Sequence, residues 1–248
     1  SFKSALIPFF AKIPVRTGWL GEMRYGLLND IRKTGSNKNY LMVEKFASLS
    51  FAEGNFSLKN LSFPSLNVDL VNQRENLTKF RIHTDLQSLA ICPGAEFGPS
   101  KKWPAEYYAE VAKTYVEQGW NVFCLGSIND QETGKKIQTF HNLDQERNFH
   151  NLIGKTSLND AVDLLAHCEK VVTNDSGLMH VSAAVGTSVV AVYGPSSPDY
   201  TPPLINKRKI LRKTDGYDKT RVGNAPDGYH NSLLAIKPNE VIDALEEL

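Results

Sequence analysis

VVTNDSGLMHVSAAVGTSVVAVYGPSSP, residues 171–198, decides the fold. It reads as an apolar strand, a sharp polar turn, a short helix closed by Gly186, and a second apolar strand. Strands written as unbroken Val/Ala runs suit a parallel sheet covered on both faces rather than a half-solvated antiparallel one. The turn sets Asp175, Ser176, Gly177 and Leu178 at the first helical turn, with His180 just behind. The first N–H groups of a helix have no partner within it, and they carry partial positive charge. A helix start of this kind at the edge of a sheet is a place for an anion, a phosphate above all.

The same grammar extends on both sides of this stretch. SLAICPGA is a strand ending in a Gly-containing turn. Trp103-Pro104 opens a helix that runs through VAKTYVEQ to Gly119, a residue suited to ending it. WNVFCLGS is a strand, and Asn129 or Asp130 begins a helix to about His141. NLIG is a short strand, and Ser157 with Asp160 forms a capping box for LNDAVDLLAHC. KRKILR is a further strand, a Gly-rich polar loop follows, and a last helix starts at Pro238. Strand–helix alternation over this length predicts an α/β fold with parallel sheets and helices on both faces. Ligands of such sheets sit beyond the carboxyl ends of the strands. There the polar signals gather: Gly94 to Lys102, Gly126 to Asp130, Gly154 to Ser157, Asn174 to His180 and Gly194 to Pro198.

The first third is less regular. Phe2 to Lys12 is a short amphipathic segment interrupted by Pro8. VRTGW (15–19) reads as a buried strand, and GEMRYGLLNDIRKT (21–34) as a helix, because Met23, Leu27, Leu28 and Ile31 share one helical face. LMVEKFASLSF (41–51) is helical, 52–72 is mostly loop, and a helix spans Asn72 to about Ile82. Arg16, Arg24 and Tyr25 cluster here. They are either ordinary surface groups or a basic pocket for an anionic acceptor. A domain boundary is placed near Thr84 to Gln87. The opening SFKSALIPFFAKIP reads like the middle of a helix, which leads to the expectation that more sequence precedes Ser1.

Composition narrows the function classes. The 248 residues carry a net charge of +1 and 41% hydrophobic side chains. That balance fits a packed core and gives no global reason to bind nucleic acid. No apolar run approaches the roughly 18 residues that span a bilayer. Cys92, Cys124 and Cys168 are odd in number and widely spaced, as expected of buried free thiols in a reducing compartment. No zinc, EF-hand or H-E-x-x-H spacing occurs, so no metal is expected. CPGAEFGPSKKWP lacks both G-x-G-x-x-G and the Gly-Lys-Ser/Thr of a P-loop, and the nucleophile elbow G-x-S-x-G is absent. Lys101 and Lys102 still lie at the sheet mouth, where one of them is expected to meet phosphate.

Taken in order, RTGWLGEMRYGLLND, CPGAEFGPSKKWP, TNDSGLMHVSAA, YGPSSPDYTPPL and DGYHNSL resemble the ADP-heptose:lipopolysaccharide heptosyltransferases, glycosyltransferase family 9. The resemblance covers nearly the whole chain. It implies a GT-B fold of two Rossmann-like domains: a partial N-terminal acceptor domain (1–85), a nucleotide-sugar domain (86–237), and a C-terminal helix (238–248) packing back on the first. It implies inverting transfer of L-glycero-D-manno-heptose from ADP-heptose to the first heptose of the lipopolysaccharide inner core. The enzyme would work in the cytoplasm, at the inner face of the inner membrane, with no cofactor beyond the donor substrate. By matched position Ser176, Gly177 and Leu178 would hold the diphosphate, Asp175 the heptose hydroxyls, and His180 would support them. Lys101 would neutralise phosphate, Asp130 would meet the ribose and Thr156 the adenine side. The family's general base lies in the first strand–helix loop, which has no counterpart here, so no catalytic residue is named and the chain alone is expected to bind donor without turnover. A GT-B nucleotide-sugar epimerase and a non-catalytic nucleotide-binding module are the alternatives.

Overall fold

The computed structural model of the chain describes residues 1–33, 41–51, 62–96, 98–216, 218 and 220–248. Much of the loop expected over 52–72, and the last residue of the helix expected over 21–34, lie outside these. Contacts gather the chain into two compact units, Ser1–Ser62 with Asp199–Pro202, and Phe63–Pro198 with Pro203–Leu248.

The first unit holds helix α1 (Phe2–Phe10), parallel strands β1 (Thr17–Trp19) and β2 (Asp30–Arg32), and helix α2 (Met42–Ala47). Only the middle residue of β1, Gly18, is buried. The helix expected over 21–34 does not form. That stretch turns through Glu22 and Met23 at positive φ and through Gly26 at φ 77°, then enters β2. Its apparent apolar face was coincidental: Leu28 is buried, whereas Met23 is 81% exposed.

The second unit is a doubly wound sheet. Its strands are β3 (Ser88–Cys92), β4 (Asn121–Cys124), β5 (Phe149–Asn151), β6 (Lys170–Asn174), β7 (Ser188–Tyr193) and β8 (Arg208–Arg212). They lie in the order β5-β4-β3-β6-β7-β8, and every pairing is parallel. The chain leaves β3 towards β4 and β5, then returns to place β6 on the other side of β3. The connections therefore diverge at the carboxyl ends of β3 and β6, which opens a crevice suited to a ligand.

Both faces are apolar, as the unbroken strand runs predict. Leu89, Ile91, Val122, Val172, Val190 and Val192 face helix α4 (Ala105–Glu117) and helix α9 (Pro238–Glu246). Ala90, Cys92, Phe123, Leu125 and Val171 face helices α3 (Leu70–Lys79) and α6 (Leu158–His167). Helix α7 (Gly177–Ala184) packs on β6, β7 and α6, with Met179 buried against Val189, Ala191 and Tyr193. Among the described residues the remaining α-helices are α5 (Gln131–Thr139) and the single turn α8 (Asn231–Leu234).

The strand expected at NLIG lies earlier, at Phe149–Asn151; Leu152 and Ile153 are buried in the turn that follows it. Val241, Ala244 and Leu245 of α9 are buried with α4 in the core of this second unit. Cys92, Cys124 and Cys168 are buried free thiols whose pKa values burial raises. Among the described residues no helix is long and apolar enough to cross a membrane.

Candidate functional site

The crevice is built first by Asn174, the last residue of β6, which has no exposed surface. Its Oδ1 accepts from the Trp103 backbone N–H at 3.1 Å and from the Tyr108 hydroxyl at 3.0 Å, and its Nδ2 donates to the carbonyl of Pro93 at 2.8 Å. One side chain thus pins the turn after β3 and the start of α4 to the end of β6. The loop that carries Lys101 and Lys102 runs between those two anchors.

On this frame the residue read as a possible helix cap does something else. Asp175 is buried, and its Oδ2 lies 2.5 Å from the Nζ of Lys101. The N-cap of α7 is Ser176, and its side chain makes no capping bond to the helix. The N-terminal end of α7 is therefore polar, backbone-lined and flanked by an ion pair, with Gly177 exposed at its tip. No Cβ contact would arise at Gly177, so the space in front of it is open. His180 lies one turn further on. Although surface-exposed, it has its pKa lowered chiefly by desolvation, with the Asp175 charge opposing and Lys101 adding to the lowering.

The neighbouring residue makes a second pair on the other flank of β3. Lys102 Nζ lies 3.3 Å from Asp130 Oδ1. Asp130 is 7% exposed, and its Oδ2 also accepts from the backbone N–H and the hydroxyl of Ser127, at 3.1 and 2.8 Å. A Cβ on Gly94 would come within 2.6 Å of that same oxygen, and one on Gly126 within 3.3 Å of the Asp130 side chain. Gly94 is therefore required by the buried carboxylate, and a side chain at Gly126 would press on it more lightly. Consecutive lysines reach two carboxylates, one beyond β6 and one beyond β4, and so straddle the point where the sheet changes direction.

Thr156 precedes Ser157, the N-cap of α6, and is half-buried in the loop after β5 on the same carboxyl-end rim. The loop after β7 closes on the site from the far side: a Cβ at Gly194 would meet the Ser100 carbonyl at 2.8 Å, and Ser100 Oγ donates to the carbonyl of Thr220 at 2.7 Å. Asn174 was only the edge of a polar turn in the sequence and Tyr108 carried no signal, since a polar residue at a strand end and a helical tyrosine fit any α/β domain. Among the described residues no group of three or more His, Cys, Asp or Glu side chains is placed to hold a metal ion.

In the first unit Arg16 donates from Nε to the Leu27 carbonyl at 2.7 Å and from Nη1 to the Ile13 carbonyl at 2.6 Å. Arg24 donates from Nε to the Gly21 carbonyl and from Nη2 to the Trp19 carbonyl. Both guanidinium groups hold the irregular turn that replaces the expected helix. Tyr25 is 64% exposed.

The family model for glycosyltransferase family 9 (heptosyltransferase) matches residues 1–229. Lipopolysaccharide heptosyltransferase 2 of Escherichia coli is 46% identical over 253 residues, covering 100% of this chain and 73% of that protein. Lipooligosaccharide heptosyltransferase 2 of Haemophilus influenzae is 45% identical over 257 residues, covering 100% and 74%. The solved structure of Escherichia coli ADP-heptose lps heptosyltransferase II superposes with a TM-score of 0.86 at 44% identity, covering 100% of this chain and 73% of that one. A family 9 glycosyltransferase from Veillonella parvula shares the fold at a TM-score of 0.80 and 20% identity, covering 100% and 70%.

Proposed function

This chain belongs to glycosyltransferase family 9, and from that premise we propose inverting transfer of L-glycero-D-manno-heptose from ADP-heptose to the first heptose of the lipopolysaccharide inner core. That it is a glycosyltransferase, and that heptose transfer in inner-core synthesis is its activity, rests on the family match and on 46% identity over the whole chain to a heptosyltransferase. Neither a nucleotide-sugar epimerase nor a non-catalytic nucleotide-binding module is favoured by those likenesses. The structural observation that carries the site is the uncapped start of α7, beside the Lys101–Asp175 pair at the switch point of the sheet.

In this reading an acceptor hydroxyl attacks the anomeric carbon as the bond to the β-phosphate oxygen breaks. A base takes the hydroxyl proton, and negative charge grows on the departing ADP. Backbone N–H groups at Gly177 and Leu178 are fixed dipoles aimed at that charge, so they need no reorganisation when it develops. Ser176 adds a hydroxyl, and His180 supports the turn. Lys101 turns to the phosphate, which releases Asp175 to accept hydrogen bonds from the sugar hydroxyls. Thr156 lies on the nucleoside side. Arg16, Arg24 and Tyr25 are proposed to meet the anionic acceptor. The lipid-linked acceptor places the reaction on the cytoplasmic face of the inner membrane, and the donor substrate suffices without a cofactor.

The test uses protein expressed from its full reading frame, ADP-heptose and a heptose-deficient lipopolysaccharide acceptor, with products resolved by mass. Transfer of one heptose is expected; release of free epimerised sugar would overturn the assignment. Asp175→Ala and Lys101→Ala should each lower kcat/KM by about 100-fold, the scale of losing a charge-assisted contact in a desolvated site. Unchanged constants in both variants would mean the donor sits elsewhere.

A further inference from the structure

Lys102 is the residue at this rim that neither the family resemblance nor the reaction just described uses. We propose that Lys102 is a second cationic contact for the diphosphate of the donor, held by Asp130 and handed over when the nucleotide arrives. The inference rests on the donor reading above and adds a residue to it.

Three observations carry it. First, Lys102 follows Lys101 directly, yet the two ammonium groups go to different carboxylates on opposite flanks of β3. Second, the Lys102–Asp130 contact is loose. At 3.3 Å it is longer than the usual charge-assisted bond of about 2.7–2.9 Å. Third, Asp130 does not depend on it. Its Oδ2 keeps two bonds to Ser127, and it is boxed in by Gly94 and Gly126, so the carboxylate stays in place if the lysine leaves. Lys102 retains 25% exposure of its side chain, whereas that of Asp130 is 10% exposed. The lysine is thus the mobile partner and the aspartate the fixed one.

Charge balance gives the arrangement its purpose. Each lysine faces one carboxylate, and the diphosphate supplies the anion that compensates for their separation. The resemblance would put Asp130 on the ribose; Ser127 occupies its Oδ2 and Lys102 its Oδ1. Its job in this proposal is to park a lysine.

Binding of ADP to the full protein, measured by calorimetry at low and high salt, decides the matter. Lys102→Met should weaken ADP about tenfold at low salt, with the loss shrinking at high salt as screening removes the charge term. Lys102→Gln should behave alike and serves if the Met variant folds poorly. Asp130→Asn, which keeps an acceptor for Ser127, should leave ADP binding unchanged or tighter. Equal weakening by Asp130→Asn would show that the pair is structural or that Asp130 meets the ribose, and either overturns the proposal. So would a salt-independent loss, or no loss, in the Lys102 variants. If the unsubstituted protein fails to bind ADP, the donor site itself is misplaced; if it binds and Lys102→Met binds equally well, only the present inference falls.

Discussion

Asn174 has no exposed surface, and its carboxamide serves the turn after β3, the start of α4 and a tyrosine hydroxyl at once. Removing it orphans the Trp103 N–H and the Pro93 carbonyl inside the core, and leaves the Tyr108 hydroxyl with the Cys92 carbonyl as its remaining acceptor. Leaving buried groups unpaired costs about 1–3 kcal/mol each before relaxation. Asn174→Ala is therefore expected to destabilise the protein by about 3 kcal/mol and to lower its urea midpoint. The same variant should weaken ADP, because the Lys101–Lys102 loop loses both of its anchors. An unmoved midpoint would remove Asn174 from its structural role. Single residues of this kind were the least legible in the sequence. TNDSG advertised its aspartate and glycine, and Asp175 offered itself as a helix cap. The ion pair to Lys101, 74 positions away, and the hub made by the preceding asparagine come from chain topology alone.

At the scale of elements, legibility followed burial. The strands β3, β4, β6 and β7 are covered on both faces, so each had to be an apolar run, and each was read within a residue or two. The segment 21–34 shows the converse. Four apolar residues at helical spacing are weak information where little is buried, and the positive φ values at Glu22, Met23 and Gly26 follow from local turn geometry that hydrophobic spacing does not register. Helix α6 was read correctly because its start signal is local. Ser157 Oγ accepts from the Asp160 N–H at 3.2 Å, and Asp160 Oδ2 accepts from the Ser157 N–H at 2.8 Å. Asp160 does more than close a capping box: its Oδ1 accepts from Asn72 and Asn76 of α3, at 3.1 and 2.9 Å. The bond from Ser157, with those from the two asparagines, holds its pKa down at about 2. Ser157→Ala should cost about 1 kcal/mol, the usual worth of a cap. Asp160→Ala should cost more, about 2–3 kcal/mol, because it also removes two of the bonds that tie α3 to α6, leaving those made by Asp163. Equal urea midpoints for the two variants would show that the α3 contacts contribute nothing.

For the molecule as a whole, the second unit carries an acid-sensitive cluster on the face opposite α4. His150 pairs across from Phe123 in the sheet and meets its ring edge-on at 5.8 Å, and His167 stacks on the same ring at 6.3 Å. His150 Nε2 is buried without a hydrogen-bond partner. Burial, reinforced by the nearby His83, lowers the His150 pKa to about 4, and burial lowers that of His167 as well. A folded-state pKa below the unfolded one means that the native state favours neutral imidazole. The stabilisation is complete above the ordinary value of about 6.5 and is lost as pH falls towards 4, because the unfolded chain takes up the proton first. For His150 alone the loss by pH 5 is at most about 2 kcal/mol, from the linkage between pKa shift and stability. Asp160 contributes in the same direction only at lower pH, between the ordinary carboxylate range and 2, so the two windows separate. Urea midpoints measured from pH 7.5 to 4.5 should therefore fall before the carboxylates titrate. His150→Leu keeps an apolar side chain against Phe123 and removes the titrating group, so it should flatten that fall. A fall of equal steepness in the variant would place the acid sensitivity elsewhere. His150 and Phe123 lie within β5 and β4, while the anion site is carried by the loops that follow the strands. Loss of ADP binding in this pH window should accordingly track unfolding, with native protein at pH 5.5 retaining its affinity.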